Sequence, residues 1–540
     1  MKKMKSLILC FVLILPATLH SFAQIGTQVV PKLITKDGRH ALLVDGKPFF
    51  ILGAQAHNSS AWPAMLPKLW EAVEELHANT LEVPVYWEQI EPQQGIFNFS
   101  LIDTLLTQAR EHKLRLVLLW FATWKNGSNH YMPEWMKTDA GKYPNIIGKN
   151  GKSVDSPSPN FEATMQCDTK AFAAVMKHLK KADEQHTVIM IQVENESGAW
   201  GSVRDYSPSA QKLFESPVPS ELLKPGILEQ LNVPIVSKGA WQSVFGDRAD
   251  EYFQAWSVAR FIGQVAAAGK AEYVLPLYVN AALRDPLTNP SAASYESGGP
   301  TDNVIPIWKV AAPAIDLLAP DIYLSGCQRI LKVIDLYNRP DNALFVPELG
   351  WSADRVKYLY EIIARGGIGF SPFGIDDNGR GSTQAEIDEH LAPFAQEYKM
   401  AAPMIRELAT WGFEGKIKSV VESEDHTDQT IHLGEWQAII SFGAGERKVS
   451  DKINTGSNGK LMIVQLDQNK FILVGTLCRI TFRPVGKNEG RSWQFLKVEE
   501  GKYDRGKFNV LRILNGDETD WGGPRFGSSP SVLRVSLILR

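Results

Sequence analysis

Two glutamates are the residues of this sequence best placed to do chemistry, because each stands near the end of a short apolar run. Residues 187–200 read TVIMIQVENESGAW and carry Glu196, and residues 343–351 read ALFVPELGW and carry Glu348. Runs of this kind predict strands that are buried on both faces, as in a parallel sheet. Two carboxyl groups that meet across a sugar can hydrolyse a glycosidic bond. The pair predicts such a site if the fold brings the two strand ends together.

The dipeptides that contain these glutamates, Asn-Glu and Pro-Glu, also occur elsewhere in the chain without a buried strand before them. Asn488-Glu489 lies in a polar turn, and Pro133-Glu134 has no apolar run before it. The hypothesis therefore depends on the pairing of two buried strands and not on the dipeptides. An alternative stays open at this point, namely that Glu196 and Glu348 are strand-end carboxylates held in salt bridges.

Eight apolar runs, most of them followed by helical patterns, predict a (β/α)8 TIM barrel. The runs cover residues 49–53, 80–86, 114–120, 187–193, 273–279, 315–318, 343–346 and 367–370. Active sites of such barrels lie at the carboxyl ends of the strands. Polar and aromatic residues that follow the runs are therefore candidate substrate-binding residues: His57, Trp87, Glu88, Trp124, Asn280, Tyr323 and Trp351.

The composition indicates a soluble globular protein with more than one domain. The chain has 540 residues, of which 44% are hydrophobic and 22% charged, and its net charge is −3. This balance argues against nucleic acid or an anionic membrane surface as a partner. The 15 tryptophans would suit the apolar faces of sugar rings, although most tryptophans in a large protein belong to its core.

The chain divides into three predicted parts. Residues 1–23 combine three lysines, an apolar stretch over residues 7–15 and a small-residue cleavage site, and so predict a signal peptide and export to the periplasm or beyond. Residues 24–412 contain an N-terminal hairpin and the barrel, with a last helix over residues 385–411. Residues 413–540 alternate short apolar runs with Gly, Asn and Asp turns, which predicts an antiparallel β-sandwich-like domain. No other segment reaches membrane-spanning length.

The three cysteines that remain after cleavage are sparse and unclustered: Cys167, Cys327 and Cys478. Their spacing predicts neither a disulfide framework nor a zinc site, and at most one disulfide is possible.

The motifs at strand ends two, four and seven resemble the retaining β-galactosidases of glycoside hydrolase family 35. The resemblance covers about residues 40–400 and is carried by residues 87–92 (WEQIEP), Asn195-Glu196 and Glu348. It implies that Glu196 is the general acid/base, that Glu348 is the nucleophile and that Asn195 holds the 2-hydroxyl of the sugar. The chemistry that it implies needs no metal or organic cofactor. The strand-two motif is also similar to family 42 β-galactosidases, which share the barrel.

Three departures from the family pattern alter groups that would hold the sugar. Residues 87–92 read WEQIEP where the family has Trp-Asn-x-His-Glu-Pro, Ser197 stands where tyrosine is expected, and residues 121–124 read FATW in place of Cys-Ala-Glu-Trp. The sequence therefore supports retaining hydrolysis more directly than it supports galactose. It fits a divergent subgroup with an added C-terminal β domain.

The predicted function is an exported exo-β-galactosidase that releases terminal galactose from plant-type oligosaccharides or polysaccharides by double displacement. Two alternatives stay open: a retaining glycosidase for another terminal sugar, such as arabinose or fucose, and a non-catalytic carbohydrate-binding protein on a degenerate barrel. The predicted partner is a carbohydrate, and the sequence does not predict an oligomeric state.

Overall fold

The computed structural model describes residues 29–350, 352–376, 383–442 and 457–540. The predicted signal peptide lies outside these ranges, as does Trp351. The described chain begins with a three-stranded antiparallel sheet of β1 (Lys32–Lys36), β2 (Arg39–Val44) and β3 (Lys47–Phe49).

Eight parallel strands then close into a barrel. In chain order, the strands of this part are β4 (Ile51–Gln55), β5 (Thr80–Tyr86), β6 (Arg115–Lys125), β7 (Asn145–Ile147), β8 (Ser153–Pro157), β9 (Val188–Asn195), β10 (Leu277–Ala282), β11 (Leu317–Ile322), β12 (Phe345–Leu349) and β13 (Gly369–Pro372). Strands β7 and β8 form a separate hairpin, and the other eight follow one another around the barrel, where β13 pairs with β4. The predicted (β/α)8 barrel is confirmed.

Most helices lie between consecutive barrel strands in the chain, as the crossover between parallel strands requires. These helices are α1 (Leu66–Glu75), α2 (Trp87–Ile90), α3 (Ser100–Glu111), α4 (Glu134–Lys137), α5 (Glu162–Ala182), α6 (Pro208–Glu215), α7 (Pro225–Gln230), α8 (Trp241–Phe245), α9 (Ala249–Glu272), α10 (Ile305–Ala311), α11 (Cys327–Tyr337) and α12 (Tyr358–Ala364). Two more, α13 (Gln384–Ala401) and α14 (Ile405–Phe413), follow the last barrel strand.

Two predicted elements have different bounds in the structure. Strand β6 continues to Lys125, five residues beyond the predicted end, so the loop that follows it begins later than expected. The helix predicted over residues 385–411 is broken into α13 and α14 by a 3-10 turn over Ala402–Met404. Pro403 explains the break, because proline has no N–H to donate and its ring clashes with the preceding helical turn.

The C-terminal part consists of two antiparallel sheets, and the predicted antiparallel architecture is confirmed. A six-stranded sheet has the order β14-β17-β18-β23-β20-β21, and a four-stranded sheet has the order β15-β16-β19-β22. The bounds are β14 (Ile417–Val421), β15 (Gln429–Leu433), β16 (Trp436–Phe442), β17 (Lys460–Asp467), β18 (Lys470–Thr476), β19 (Cys478–Pro484), β20 (Trp493–Asp504), β21 (Lys507–Leu514), β22 (Arg525–Phe526) and β23 (Ser531–Leu539), with a short helix α15 (Asp517–Asp520).

The six-stranded sheet shares one hydrophobic core with the barrel. Buried side chains from four of its strands belong to the same apolar cluster as the barrel residues: Ile417, Val421, Met462, Val464, Ile472, Val474 and Val532. A buried ion pair between Lys460 and Glu397, 2.9 Å long, joins the sheet to α13. The predicted domain boundary between residues 412 and 413 falls at the end of α14. Because the hydrophobic core crosses this point, the division into two domains stays a prediction.

Within the described ranges, none of Cys167, Cys327 and Cys478 forms a disulfide. Within the described ranges, no helix has both the length and the apolar character needed to cross a bilayer.

Candidate active site

Three buried carboxyl groups meet at the carboxyl ends of the barrel strands. One carboxylate oxygen from each of Glu196, Asp321 and Glu348 lies within 4.8 Å of the others. Glu196 directly follows β9, while Asp321 in β11 and Glu348 in β12 are partners in the strand register. Their exposed fractions are 7%, 2% and 5%. The fold therefore brings the two glutamates together, and it adds an aspartate that was not predicted for the site.

An irregularity in β12 surrounds Glu348. The register between β12 and β13 shifts between Val346 and Leu349, and Pro347 lies within that interval. Proline cannot donate a hydrogen bond to a neighbouring strand, so it is confined to edges and bulges. Bulges are frequent beside active sites because they change the direction of a side chain. The Pro-Glu dipeptide thus has a structural consequence here that it lacks at Pro133-Glu134.

The backbone at the end of β9 adopts left-handed conformations that non-glycine residues use rarely. The φ angles are +65° at Glu194 and +43° at Glu196. At Gly198 the φ angle is +138°, and a Cβ atom there would lie only 2.7 Å from the carbonyl oxygen of Glu296. Strained conformations of this kind cluster at functional sites, where the surrounding structure maintains them.

A pair of buried acids, Asp168 in α5 and Glu194 in β9, supports this strand end. Asp168 accepts hydrogen bonds from the Trp120 indole at 2.9 Å and from the Thr123 hydroxyl at 2.6 Å. Glu194 accepts one from the backbone N–H of Trp124 at 2.7 Å. Burial raises the pKa of both carboxyls, and the charge of Asp168 raises that of Glu194 further. The pair therefore keeps a proton and ties the end of β6 to the end of β9.

The turn after β6 holds Glu196 in place. The Asn126 amide donates to Glu196 Oε2 at 2.7 Å, and the backbone N–H of Gly127 donates to the Glu196 carbonyl oxygen at 2.9 Å. Burial raises the pKa of Glu196 to about 8; the charge of Glu348 adds to this rise, and Lys125 opposes it. Glu196 is therefore protonated at neutral pH, as a general acid must be.

Glu348 is bound by a phenol. The Tyr323 hydroxyl donates to Glu348 Oε1 at 2.6 Å. Although Tyr323 is 49% exposed, desolvation of its hydroxyl group, followed by the charge of Glu348, raises the pKa of the phenol, which therefore keeps the proton that it donates. Arg355 holds the backbone that carries this tyrosine, because its guanidinium donates to the carbonyl oxygens of Ile322 and Tyr323 at 3.1 and 3.0 Å. The arrangement suits an ionised nucleophile.

Replacing Tyr323 with phenylalanine is expected to lower kcat by about 10- to 100-fold, the worth of one hydrogen bond to a charged group. The effect should fall on kcat more than on KM, because the hydroxyl contacts the carboxylate of the predicted nucleophile. Steady-state kinetics on an aryl glycoside would measure it, with thermal unfolding as the control for the fold. Unchanged kcat would show that this hydrogen bond does not assist the reaction.

Three further predicted residues lie at or just after the carboxyl ends of barrel strands. Asn195 ends β9, and neither polar atom of its amide has a hydrogen-bond partner within the described part of the chain. Glu88 lies 3.4 Å from the Lys137 ammonium. The half-buried His57 ring lies 5.5 Å from the Phe373 ring, measured between centroids. Asn195 is fully buried, and its role toward the 2-hydroxyl of the sugar stays a prediction.

Asn280 acts on the site in a different way from the one predicted. Its side-chain oxygen accepts the backbone N–H of Glu196 at 3.0 Å, and its nitrogen donates to Asp321 at 2.6 Å. The amide thus links two of the three carboxyl-bearing residues, which makes it a positioning residue.

Two predicted substrate contacts are corrected by the structure, and a third lies outside the described residues. The Trp87 side chain is fully buried, packs beside Trp120 and donates to Glu91 at 2.9 Å. Trp124 is also fully buried, and its ring packs edge-on against Phe261 of the outer helix α9. Both rings belong to the core between the barrel and its helices. The third residue, Trp351, is one that the structure does not describe.

The three carboxylates are also a donor set that a hard divalent cation accepts. Glu196 and Glu348 already accept hydrogen bonds from Asn126 and Tyr323, and these bonds suit an acid and a nucleophile. That no step needs a metal or organic cofactor stays a prediction.

Comparison with known families agrees with the resemblance in the barrel. Residues 41–237 match the model of glycosyl hydrolases family 35. The likeness to family 35 is confirmed. The family 35 match covers β4 to β9 and therefore includes Glu196 but not Glu348. Residues 394–523 match a second family, described as a domain of unknown function (DUF5597). This fits the predicted added C-terminal domain.

Curated relatives that match part of this chain carry the name beta-galactosidase. One from Xanthomonas manihotis is 28% identical over 215 residues, which are 38% of this chain and 32% of that protein. Beta-galactosidase 11 of Arabidopsis thaliana is 26% identical over 175 residues, or 31% of this chain and 19% of that protein. The chain thus spans about a third or less of the length of these relatives.

Among solved structures, similar chains include a beta-galactosidase from Bacillus circulans sp. alkalophilus, with 14% identity and a TM-score of 0.48 over 65% of this chain and 56% of that chain. The catalytic domain of a beta-amylase from Paenibacillus polymyxa has 14% identity and a TM-score of 0.47 over 64% of this chain and 96% of that chain.

Proposed function

We propose that the protein is a glycoside hydrolase, and more narrowly a retaining exo-β-galactosidase. One observation carries the proposal: two buried carboxyl groups lie within 4.8 Å at the barrel end, one with its pKa raised to about 8 and the other bound by a phenol. Retaining glycosidases keep their carboxyl groups about 5 to 5.5 Å apart, whereas inverting enzymes leave a wider gap for water.

The proposed reaction proceeds in two displacements. In the first, a Glu348 oxygen attacks the anomeric carbon while Glu196 gives its proton to the departing glycosidic oxygen. The resulting ester removes the negative charge of Glu348, and the pKa of Glu196 falls in response. In the second, Glu196 takes a proton from a water molecule, the water oxygen attacks the anomeric carbon, and the bond to Glu348 breaks. The sugar leaves with its original configuration.

Galactose is the proposed sugar, because the curated relatives carry the name beta-galactosidase. Plant-type oligosaccharides or polysaccharides are the proposed source of the terminal galactose. Arabinose and fucose remain alternative terminal sugars. The sequence departs from the family pattern at residues 87–92, 121–124 and 197, which are positions where the family holds the sugar. The proposed location is outside the cytoplasm, on the basis of residues 1–23.

A panel of nitrophenyl glycosides tests the proposal directly. We expect release of nitrophenol from the β-galactoside, and proton NMR of the first product should show the β-anomer. Faster release from an arabinoside or fucoside would change the sugar but keep the mechanism. Binding of a sugar without any release of nitrophenol would replace the hydrolase with a carbohydrate-binding protein.

The raised pKa of Glu196 also predicts the pH profile. The acid works only while it is protonated, so kcat/KM should fall about tenfold per pH unit as the pH rises above about 8. The measurement is kcat/KM between pH 5 and 10 on a glycoside with a poor leaving group, which depends most on protonation. A profile that already declines below pH 6 on its alkaline side would contradict the assignment of Glu196.

A further inference from the structure

The proposed mechanism gives no role to Asp321, although its carboxyl group lies in one cluster with those of Glu196 and Glu348. It lies within 4.8 Å of both Glu196 and Glu348 and is only 2% exposed. One of its oxygens, Oδ2, accepts the amide of Asn280 at 2.6 Å. The other, Oδ1, is buried and receives no hydrogen bond from any residue that the structure describes.

The unpaired oxygen indicates the protonation state of Asp321. A buried carboxylate oxygen without a donor is costly, because desolvation is not offset by a hydrogen bond. A second or third negative charge within 4.8 Å would add repulsion. Both penalties disappear if Oδ1 carries a proton. The carboxyl group is then uncharged, and its O–H group can donate a hydrogen bond to the neighbouring carboxyl group of Glu196.

We propose that Asp321 is a positioning residue that stays a neutral carboxylic acid and donates a hydrogen bond to Glu196. This inference rests on the proposed function and assigns a task in the second displacement. Once Glu196 has given its proton to the leaving group, it is a carboxylate, and Asn126 already donates to one of its oxygens. The O–H of Asp321 supplies a further donor, which holds Glu196 as the base that receives the proton of water.

The charged and titratable groups that face Asp321 agree with a neutral acid. They are Glu196 after β9, Glu348 in β12, Lys125 in β6, and the phenols Tyr278, Tyr323 and Tyr337. Burial and the charges of Glu348 and Glu196 raise the pKa of Asp321 well above its ordinary value, and Asn280 and Lys125 oppose that rise. No cation of the described residues forms an ion pair with this carboxyl group.

Two substitutions separate the neutral donor from an ionised group. Asp321→Asn keeps a donor of nearly the same shape, and Asp321→Leu keeps only the shape. On a dinitrophenyl β-galactoside, whose leaving group needs no acid, the second displacement limits kcat. We expect kcat of Asp321→Asn within about threefold of wild type, and kcat of Asp321→Leu lower by about 10- to 100-fold.

The pH profile distinguishes a neutral Asp321 from an ionised one. A neutral Asp321 adds no charge beside Glu196, so the alkaline limb of kcat/KM on a poorer substrate should stay in place in Asp321→Asn. Asp316→Asn is the matched control, because Asp316 directly precedes the other end of β11 and pairs with Lys270 at 2.7 Å. This control should leave the alkaline limb unchanged as well.

Two results would overturn the inference. One is a kcat of Asp321→Asn as low as that of Asp321→Leu. The other is an alkaline limb in Asp321→Asn that moves down by about one pH unit or more, which would show that an ionised aspartate had been removed. If Asp321→Leu does not fold, the pH profile of Asp321→Asn decides alone. Absence of turnover in the wild type would refute the proposed function itself, and this inference with it.

Discussion

Replacing Glu348 with alanine is expected to lower kcat on the order of 100,000-fold, because it removes the carboxyl group that is proposed to form the glycosyl ester. The truncated side chain leaves space next to the anomeric carbon. Azide should enter this space and attack from the side that Glu348 occupied, giving a glycosyl azide of inverted configuration. Nitrophenol release with and without azide, followed by NMR of the azide product, measures both effects.

The matched control is Glu134→Ala, which alters the same Pro-Glu dipeptide at an exposed position in α4. Its kcat should equal that of the wild type. Near-normal turnover by Glu348→Ala, or an azide product of retained configuration, would refute the assignment of the nucleophile.

Replacing Glu196 with glutamine is expected to have an effect that depends on the leaving group. For a poor leaving group, loss of the acid should lower kcat/KM by about 100- to 10,000-fold. A dinitrophenyl leaving group departs without a proton, so its kcat/KM should change little. The ester would then accumulate, because no base activates water, and azide should release it as a product of retained configuration. The alkaline limb near pH 8 should disappear with the side chain.

Glu489→Gln is the control for this variant, since Asn488-Glu489 repeats the dipeptide on an exposed turn of the C-terminal part. An equal loss of kcat/KM on both leaving groups would mean that Glu196 does not protonate the glycosidic oxygen.

The two glutamates could be predicted because parallel strands that are buried on both faces end at one edge of the barrel. Apolar runs before Glu196 and Glu348 were enough to indicate this. The same feature explains the failure at Trp124. A strand buried on both faces shows no alternation of polar and apolar residues, so the sequence does not tell the inner face from the face toward the helices. The Trp124 ring lies against Phe261 of α9, whereas Trp87 begins the short helix α2 and its ring packs beside Trp120.

The supporting residues could not be predicted because they depend on the register between separate elements. Asp321 faces Glu348 only because β11 and β12 align at that position. Asp168 reaches Glu194 from α5, an element close to β9 in both chain order and space, but the sequence does not give the register between the two. One signal was available: acidic residues within otherwise apolar stretches need a partner. The sequence does not say which partner each one has.

The apolar cluster shared by the barrel and the six-stranded sheet has a consequence for how the protein can be divided. The match to DUF5597 begins at residue 394, inside α13, and not in the short connection after α14. A cut at residue 413 would leave bare the barrel side chains that now pack against Val421, Met462 and Val474. Such a fragment would expose a hydrophobic patch and would tend to aggregate. If the C-terminal sheets were exchanged between relatives, in evolution or in the laboratory, the last part of the barrel would have to be exchanged together with them.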